Sequence, residues 1–213
     1  MILFDLIPTE DSQPYQTLQV SNLDRQYAFL NSIVEASIST GRLYLSQAVI
    51  KAFNYHAIVC LHADAGQFRP HGVEIKGGKH QPPPWFHVQA QMDDMVNSIN
   101  RSWDATDPLV LASYALWRLN WIHPFVNGNG RTARVTAYYI LCLKFGGLLA
   151  GTVSLPELLC RHRHEPDDPY VAALQEVDES LRQGALDFSP LVKLIGSLLE
   201  EQLGTAPPPD EAK

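Results

Sequence analysis

A short segment near the middle of the chain combines one histidine, closely spaced glycines and two arginines. It reads HPFVNGNGR, from His123 to Arg131, and Arg134 follows shortly after it. Gly128 and Gly130 permit positive φ and leave their amide groups uncovered. Because amide groups in such a loop converge on anions, the segment predicts a phosphate site. The two arginines lie three apart on the first turn of a helix, so both can bind successive phosphates of a polyphosphate.

The histidine before this loop predicts acid–base chemistry. An imidazole titrates near neutral pH, so His123 beside a bound phosphate can accept the proton of a hydroxyl that attacks phosphorus. Pro124 and Phe125 are expected to hold its backbone against the core. The side-chain oxygen of Asn127 lies where a magnesium ion that bridges phosphates needs a ligand. Together these residue types predict phosphoryl-type transfer, in which the protein supplies a base, positioning and charge.

Two helices must position this segment. Asp107 followed by Pro108 is typical of a helix start, and apolar positions then recur at helical spacing up to the histidine. After the arginines, the sequence VTAYYILCLKF is apolar on nearly every side and ends at Gly146 and Gly147. This composition predicts a central buried helix. We therefore expect the phosphate loop between the end of one helix and the start of the next.

Helical spacing extends over most of the chain and predicts an all-α fold, a helical bundle with a short β-hairpin. Apolar residues recur three and four apart from Leu23 onward. Residues 1–21 contain prolines without clear periodicity, which predicts an extended lead-in segment. Residues 22–203 are expected to form one domain, because no composition shift marks a boundary. The polar segment 204–213 predicts a disordered tail. Further helices are expected near residues 45–60, 88–103, 168–184 and 189–204.

One region departs from the helical pattern. Residues 66–84 read GQFRPHGVEIKGGKHQPPP, and the run of prolines excludes a helix. Val73 and Ile75 alternate with Glu74, and the glycine pair at 77 and 78 permits a turn. This pattern predicts a short β-hairpin that stands out from the helical body.

The composition limits the classes of partner. The formal net charge of -7 gives no general attraction to nucleic acid or to anionic lipid, so phosphate binding must come from a local site. The start of the chain lacks a basic signal-peptide region, and no apolar run approaches a membrane span. We therefore expect a cytoplasmic protein that binds neither nucleic acid nor membrane. The cysteines at 60, 142 and 160 are expected to be reduced core thiols.

The segment from His123 to Arg134 resembles the motif of the Fic (filamentation induced by cAMP) family, H-P-F-x-[D/E]-G-N-[G/K]-R-x-x-R. Asn127 is the one position that departs from it. The resemblance extends roughly over residues 66–203. It implies a mostly helical fold and transfer of AMP from the substrate ATP, with Mg²⁺, to a Ser, Thr or Tyr hydroxyl of a target protein. The matching residues are His123, Pro124, Phe125, Gly128, Asn129, Gly130, Arg131 and Arg134.

The resemblance also implies roles for these residues. His123 would be the base, and the loop at 128–130 would form the anion hole. Arg131 and Arg134 would hold the outer phosphates of ATP. These assignments agree with the chemistry that the residue types predict by themselves.

The hairpin and its partners follow from the same resemblance. The hairpin, taken as residues 67–80, resembles the flap of the family, which would bind the target protein by adding its backbone as an extra strand. Val73, Glu74 and Ile75 would then contact the target. A regulatory or antitoxin protein is a further expected partner.

Asn127 replaces a residue that is usually Asp or Glu in the family. An amide offers one neutral oxygen to a cation that prefers charged oxygen ligands, so we expect weaker magnesium binding. The amide suffices for transfer, or the enzyme uses another phosphate-containing donor, or the chain is a regulator that binds nucleotide without turnover. Our hypothesis is that transfer persists but needs more magnesium.

A second family feature is an inhibitory helix with the pattern S/T-x-x-x-E-G/N, whose glutamate pairs with the second arginine of the motif. Residues 31–36, NSIVEA, resemble it loosely, with Glu35 in the place of the glutamate. Glu35 would then pair with Arg134 and displace the terminal phosphate. An exposed glutamate on an amphipathic helix explains the same residue equally well. Ser197 and Glu201 have the same spacing but match less well.

Overall fold

The computed structural model describes residues 9–75, 80–163 and 165–206, and these residues form an all-α structure. The predicted fold class is confirmed. A 3-10 helix, Trp85–His87, immediately precedes the third of the α-helices. The helices are α1 Gln13–Ser39, α2 Gln47–Ile58, α3 Val88–Arg101, α4 Pro108–Ile122, α5 Asn129–Phe145, α6 Leu155–Leu158, α7 Pro169–Arg182 and α8 Ser189–Gly204.

α5 is the central helix, as its composition predicts. Its residues are buried on nearly every side from Thr132 to Leu143, and α4 packs along its length. α4 begins where the sequence predicts, because Asp107 Oδ1 accepts a hydrogen bond from the backbone N–H of Leu109 at 2.8 Å. α5 ends at Gly146, whose φ of +80° is a left-handed helix cap. Two helices of the core therefore hold the loop between them.

The C-terminal helices close the bundle around α5. α8 carries Gln202, whose Nε2 donates to the Tyr138 hydroxyl of α5 at 2.7 Å. The Oε1 of the same side chain accepts from the backbone N–H of Leu155 at 2.7 Å, which fixes the start of α6. Apolar side chains from α1 to α8 join one continuous core, which includes Leu155 of the short α6. No helix in the described part of the chain is long and apolar enough to cross a membrane.

The N-terminal helix is longer than predicted. The sequence predicts an extended segment over residues 1–21, but α1 begins at Gln13, so this prediction was wrong from that residue onward. Ser12 caps the helix by accepting from the backbone N–H of Tyr15 at 3.4 Å, and Pro14 lies in the first turn, where its ring is tolerated. The inward face of this part of α1 carries polar residues, which hides the helical period. Residues 1–8 lie outside the described residues.

The predicted hairpin is not seen. Residues 67–75 and 80 contain no strand, and the predicted turn at 76–79 lies outside the described residues. The physical reason is that a two-stranded hairpin is marginal by itself, and this segment instead bonds to the helical body. The backbone N–H of Arg69 donates to the carbonyl of Pro124 at 2.8 Å, so the segment pairs with the residues between α4 and α5. We keep the name flap for residues 67–80.

The exposure of the cysteines differs in part from the prediction. All three cysteines are free, but Cys60 is exposed and Cys160 half-buried, so only Cys142 is a core thiol as predicted. Cys60 lies in the turn that follows α2 and has a positive φ of 64°. The predicted disordered tail, 204–213, begins at the end of α8, and residues 207–213 lie outside the described residues.

Candidate active site

A cavity of about 870 Å³ opens where α4 ends and α5 begins. This volume lies within the range of about 300 to 1,000 Å³ that is typical of small-molecule sites. Its walls also include α7 and the first turns of α1 with the residues before them. The structure brings the motif residues together at this cavity. They are His123, Asn127, Gly128, Asn129, Gly130, Arg131 and Arg134.

His123 is held in one tautomer. It caps α4 in the left-handed conformation, with φ of +52° and ψ of +58°, and its backbone N–H donates to the carbonyl of Leu119 at 3.0 Å. Its ring Nδ1 lies 3.3 Å from the carbonyl oxygen of Asn120. Because a carbonyl only accepts, Nδ1 carries the proton, and Nε2 of the neutral ring has a free lone pair. That lone pair is what a general base needs.

The surroundings keep this imidazole neutral. Burial lowers the pKa of His123 from the ordinary value of 6.5 to about 4, because a charged ring would lose its hydration. The hydrogen bond to the Asn120 carbonyl opposes this shift, whereas the positive charge of Arg69 and the neighbouring His80 add to it. At neutral pH the ring is therefore a base and not an acid. A bound polyphosphate would raise the pKa of His123 toward neutrality by its negative charge.

The glycine loop is fixed from within by Asn129. Its Oδ1 accepts from the backbone N–H of Phe125 at 2.9 Å, and its Nδ2 donates to the carbonyl of Phe125 at 2.8 Å. Gly128 is the cap of α5 with φ of +74°, a conformation that glycine adopts without strain. The first amide groups of α5 have no partner within the helix. They line the cavity with the loop, where an anion site is predicted.

Asn54 of α2 also fixes this loop, and the sequence did not predict this role of Asn54. This side chain is fully buried; its Nδ2 donates to the carbonyl of Asn127 at 2.9 Å and its Oδ1 accepts from the backbone N–H of Gly66 at 3.0 Å. A Cβ at Gly128 would lie 2.8 Å from Ile58 Cγ2 and 3.1 Å from Asn54 Nδ2. The loop therefore lies directly on α2, and only glycine fits there without displacement.

The two arginines of the motif have different environments. Arg131 donates from Nη1 to the carbonyl of Ala57 at 3.0 Å and from Nη2 to the Oδ1 of Asn127 at 2.8 Å, so it braces the loop. Arg134 is buried and lies against Gly130 and the hydroxyl of Tyr170. In the described part of the chain, Arg134 forms no ion pair with a carboxylate. Its charge is available to an anion in the cavity.

Asn127 lies between an arginine and a glutamate. Its Nδ2 donates to Glu10 Oε1 at 2.9 Å, while its Oδ1 accepts from Arg131. The partners fix the orientation of the amide, because a carboxylate only accepts and a guanidinium only donates. Glu10 thus places a negative charge beside the anion loop. Glu10 precedes α1, and its role was missed because it lies in the segment read as an extended lead-in.

The hydrogen bonds of Asn127 make its side chain a poor ligand for magnesium. The one side-chain oxygen of Asn127 is already bonded to a cation, the guanidinium of Arg131, which would repel a divalent ion beside it. Among the described residues, no three His, Cys, Asp or Glu side chains are grouped so that they could hold a metal ion. Asn127 in this arrangement does not fit the ligand role that the sequence suggests.

The remaining predicted residues lie in separate places. Glu74 and Ile75 of the flap line the cavity beside His80, whereas Val73 is half-buried and does not line it. Glu35 is exposed on α1 and does not line the cavity either. The structure does not bring Glu35 to Arg134, and its inhibitory role stays a prediction.

The resemblance to the Fic family is confirmed by comparison with known proteins. Residues 44–141 match the model of the Fic/DOC family. Protein adenylyltransferase fic-1 of Caenorhabditis briggsae is 39% identical over 79 residues, which are 37% of this chain and 15% of that protein. Protein adenylyltransferase Fic of Nematostella vectensis is 27% identical over 128 residues, 58% of this chain and 28% of that protein. The matches thus cover less than a third of the length of either relative.

Solved structures show the same fold. Fic-1 of Caenorhabditis elegans (residues 134–508) is 25% identical with a TM-score of 0.61, over 87% of this chain and 49% of that one. A Fic domain containing signaling protein of Bacteroides thetaiotaomicron has a TM-score of 0.69 at 19% identity, over 88% of this chain and 71% of that one. The second likeness concerns the fold alone.

Proposed function

We propose that the protein is an adenylyltransferase that transfers AMP from ATP to a hydroxyl of a target protein, because residues 44–141 match the model of the Fic/DOC family and relatives are named protein adenylyltransferases. One observation carries this proposal. The free Nε2 of His123 and the anion loop at 128–130 line the same cavity, which has room for a nucleotide. A base and an anion site that open on the same cavity suit attack on a bound phosphate.

The reaction step follows from this geometry. Nε2 of His123 accepts the hydroxyl proton of the target as the hydroxyl oxygen forms a bond to the α-phosphorus of ATP. The bond from the α-phosphorus to the oxygen that bridges it to the β-phosphorus breaks, and pyrophosphate leaves with that electron pair. The amides of the loop and the charge of Arg134 stabilise the negative charge on the phosphates. The imidazolium then returns its proton to water or to pyrophosphate.

No part of this step is assigned to magnesium. Asn127 is bonded to Arg131 and Glu10, so it supports the position of the loop and of the first arginine. The charge on the phosphates is met by the arginines and the helix amides in this account.

The flap is the proposed docking place of the target protein. Glu74 and Ile75 line the cavity mouth beside His80, so a peptide that runs along the flap presents its hydroxyl to His123. A regulatory or antitoxin partner remains a proposal from the family resemblance, with no surface assigned to it.

The proposal is tested with labelled ATP. Wild-type protein and His123→Ala are incubated in a cell lysate with ATP that carries the label on either the α- or the γ-phosphate. We expect protein-bound α-label from the wild type and a loss of about 100-fold or more in the variant, because the base is removed. Bound γ-label would indicate phosphorylation instead. ATP binding without transfer of either label would indicate a nucleotide-binding regulator.

A further inference from the structure

Arg69 is the largest polar side chain buried in the flap, and its contacts reach the catalytic segment. Only 2% of its surface is exposed. Its Nε donates to the carbonyl of His123 at 2.8 Å, and its Nη2 lies 3.4 Å from the carbonyl of Ile122. Its backbone N–H donates to the carbonyl of Pro124. Arg69 therefore bonds to three consecutive carbonyl groups at the point where α4 turns into the active-site loop.

The same guanidinium also bonds to the flap and to the residues that follow the flap. Nη1 donates to the carbonyl of His71 at 3.1 Å, and Nη2 donates to the carbonyl of Pro83. His71 lies on the first half of the flap, and Pro83 follows its second half. The planar fork of arginine can bond to these groups and to the catalytic segment at the same time, which a lysine ammonium cannot do.

These bonds lie next to a residue with an unfavourable backbone conformation. His123 is one of two non-glycine residues with positive φ in the described part of the chain. A left-handed conformation is unfavourable for a residue with a Cβ, and it persists only where the surroundings hold it. The carbonyl of His123 is the group that Arg69 Nε binds, so the bond fixes the peptide that follows the strained residue.

We propose that Arg69 is a positioning residue for the transfer reaction: it fixes the backbone of His123 and joins the base of the flap to it. The catalytic meaning of this inference rests on the proposed function, since it takes His123 as the base. Arg69 then places the target held by the flap and the base that deprotonates it in one rigid unit. The residue itself touches neither substrate nor the reacting atoms.

The charge of Arg69 supports the same role. It forms no ion pair in the described part of the chain, and burial lowers its pKa. The groups that face the His123 ring are the Asn120 carbonyl on α4, the Arg69 guanidinium and the His80 imidazole of the flap. Two of these three are cations or can become cations, so they disfavour a second positive charge on His123.

The test uses Arg69→Lys, which keeps the charge, and Arg69→Met, which removes it. Arg118→Met is the matched control, because Arg118 is a half-buried arginine of α4 that stacks on Trp121 at 4.6 Å. The first readout is the titration of the His123 ring by NMR, with the signal assigned from His123→Gln. The second readout is amide hydrogen exchange of residues 67–75.

We expect the His123 ring of the wild type to stay neutral well below pH 6.5. In Arg69→Met its titration midpoint should rise by about one pH unit or more, because a neighbouring positive charge is lost. In Arg69→Lys the midpoint should stay low, while the amides of the flap exchange about tenfold faster or more, because the fork is lost. Arg118→Met should change neither readout. Unchanged titration in Arg69→Met together with unchanged exchange in Arg69→Lys would overturn the proposal.

The rate of α-label transfer is the third readout. Arg69→Lys should lower the rate of α-label transfer by about 10- to 100-fold at saturating ATP, with the Kd of ATP unchanged, because the base is displaced while the anion loop remains. A Lys variant that transfers at the wild-type rate contradicts the proposal. If Arg69→Met fails to fold, the Lys variant decides by exchange and rate. If the wild type transfers no label, the NMR and exchange results still decide the role of Arg69, so the two failures are distinguishable.

Discussion

The imidazole of His123 combines two properties that a base in this position needs. The Asn120 carbonyl accepts a hydrogen bond from the protonated Nδ1, and burial keeps the ring neutral with a pKa of about 4. A base with so low a pKa in the free protein is a weak proton acceptor. The phosphates of a bound nucleotide correct this, since their charge favours the imidazolium that forms during the reaction. Binding of the nucleotide is therefore expected to raise the pKa of His123 and make it a better base.

This low pKa has a consequence for stability. In the unfolded chain His123 takes up a proton near pH 6.5, whereas in the folded protein it does so near pH 4. The unfolded state thus binds more protons in this window, and the free energy of unfolding falls as the pH is lowered through it. Between pH 7 and pH 4 the loss from this residue is about 3 kcal/mol.

The measurement is urea unfolding of the wild type and of His123→Gln at pH 7, 6, 5 and 4. Carboxylates contribute equally to both proteins, so the difference between the two curves isolates His123. The wild type should lose stability relative to the variant as the pH falls. Parallel curves would show that the ring is not held neutral by the fold.

Asn127 gives a second prediction for a single residue. Asn127→Asp would place a carboxylate within hydrogen-bond distance of Glu10, where the amide now donates. Two carboxylates so close repel each other unless a cation lies between them. We expect the variant to bind Mg²⁺ about tenfold more tightly than the wild type.

Calorimetric titration of Mg²⁺ without nucleotide measures this affinity. The control is the double variant Glu10→Gln with Asn127→Asp, which should return to the wild-type affinity because one carboxylate is lost. Equal affinity of Asn127→Asp and the wild type would show that Glu10 and residue 127 do not form such a pair.

The elements around the loop differ in how far the sequence predicts them. The start of α4 and the end of α5 follow from Asp107 and Gly146, because caps act within a few residues. The start of α1 was missed because Pro14 was read as a breaker when it lies in the first turn. The hairpin was predicted from local alternation alone, but Arg69 gives the segment other partners that local sequence does not show.

The junction between α2 and the start of α5 gives a prediction at this scale. Gly128→Ala adds a methyl group 2.8 Å from Ile58 Cγ2 in a backbone with φ of +74°. Gly146→Ala is the matched control, because Gly146 has φ of +80° and nothing lies within 4 Å of its added methyl. Both variants carry the backbone cost, about 1 kcal/mol. Gly128→Ala should lose about 1 to 3 kcal/mol more, since it also displaces α2 or the loop.

Thermal and urea unfolding measure the difference in stability, and calorimetry with ATP measures binding. ATP affinity should fall about tenfold or more in Gly128→Ala and stay unchanged in Gly146→Ala, because only the first lies in the anion loop. Equal effects of the two substitutions would mean that the loop does not depend on its contact with α2.

The whole molecule assembles the site from distant parts of the chain. His123, the glycine loop and the arginines are contiguous in sequence, so their position at one cavity was predictable. Their supports are not contiguous: the contacts of Arg69 with His123, Asn54 with Asn127 and Glu10 with Asn127 span 54, 73 and 117 positions. Such contacts depend on how the helices pack, and no local pattern of the sequence encodes them.

α7 completes the cavity across from the motif. Trp117 Nε1 of α4 donates to Asp178 Oδ1 of α7 at 2.8 Å, and Asn120 Nδ2 donates to the Tyr170 hydroxyl at 2.9 Å. These bonds hold α4 and α7 together on either side of the cavity. The cavity is therefore built before a nucleotide binds, and the account requires no large rearrangement on binding.

The most direct test is a structure of the wild-type protein with an ATP analogue that cannot be cleaved between the α- and β-phosphates. The phosphates should lie on the amides of residues 128–130 with Arg134 beside them. Nε2 of His123 should face the α-phosphate with room for one hydroxyl between them. A nucleotide bound elsewhere, or an imidazole turned away from the α-phosphate, would contradict the account.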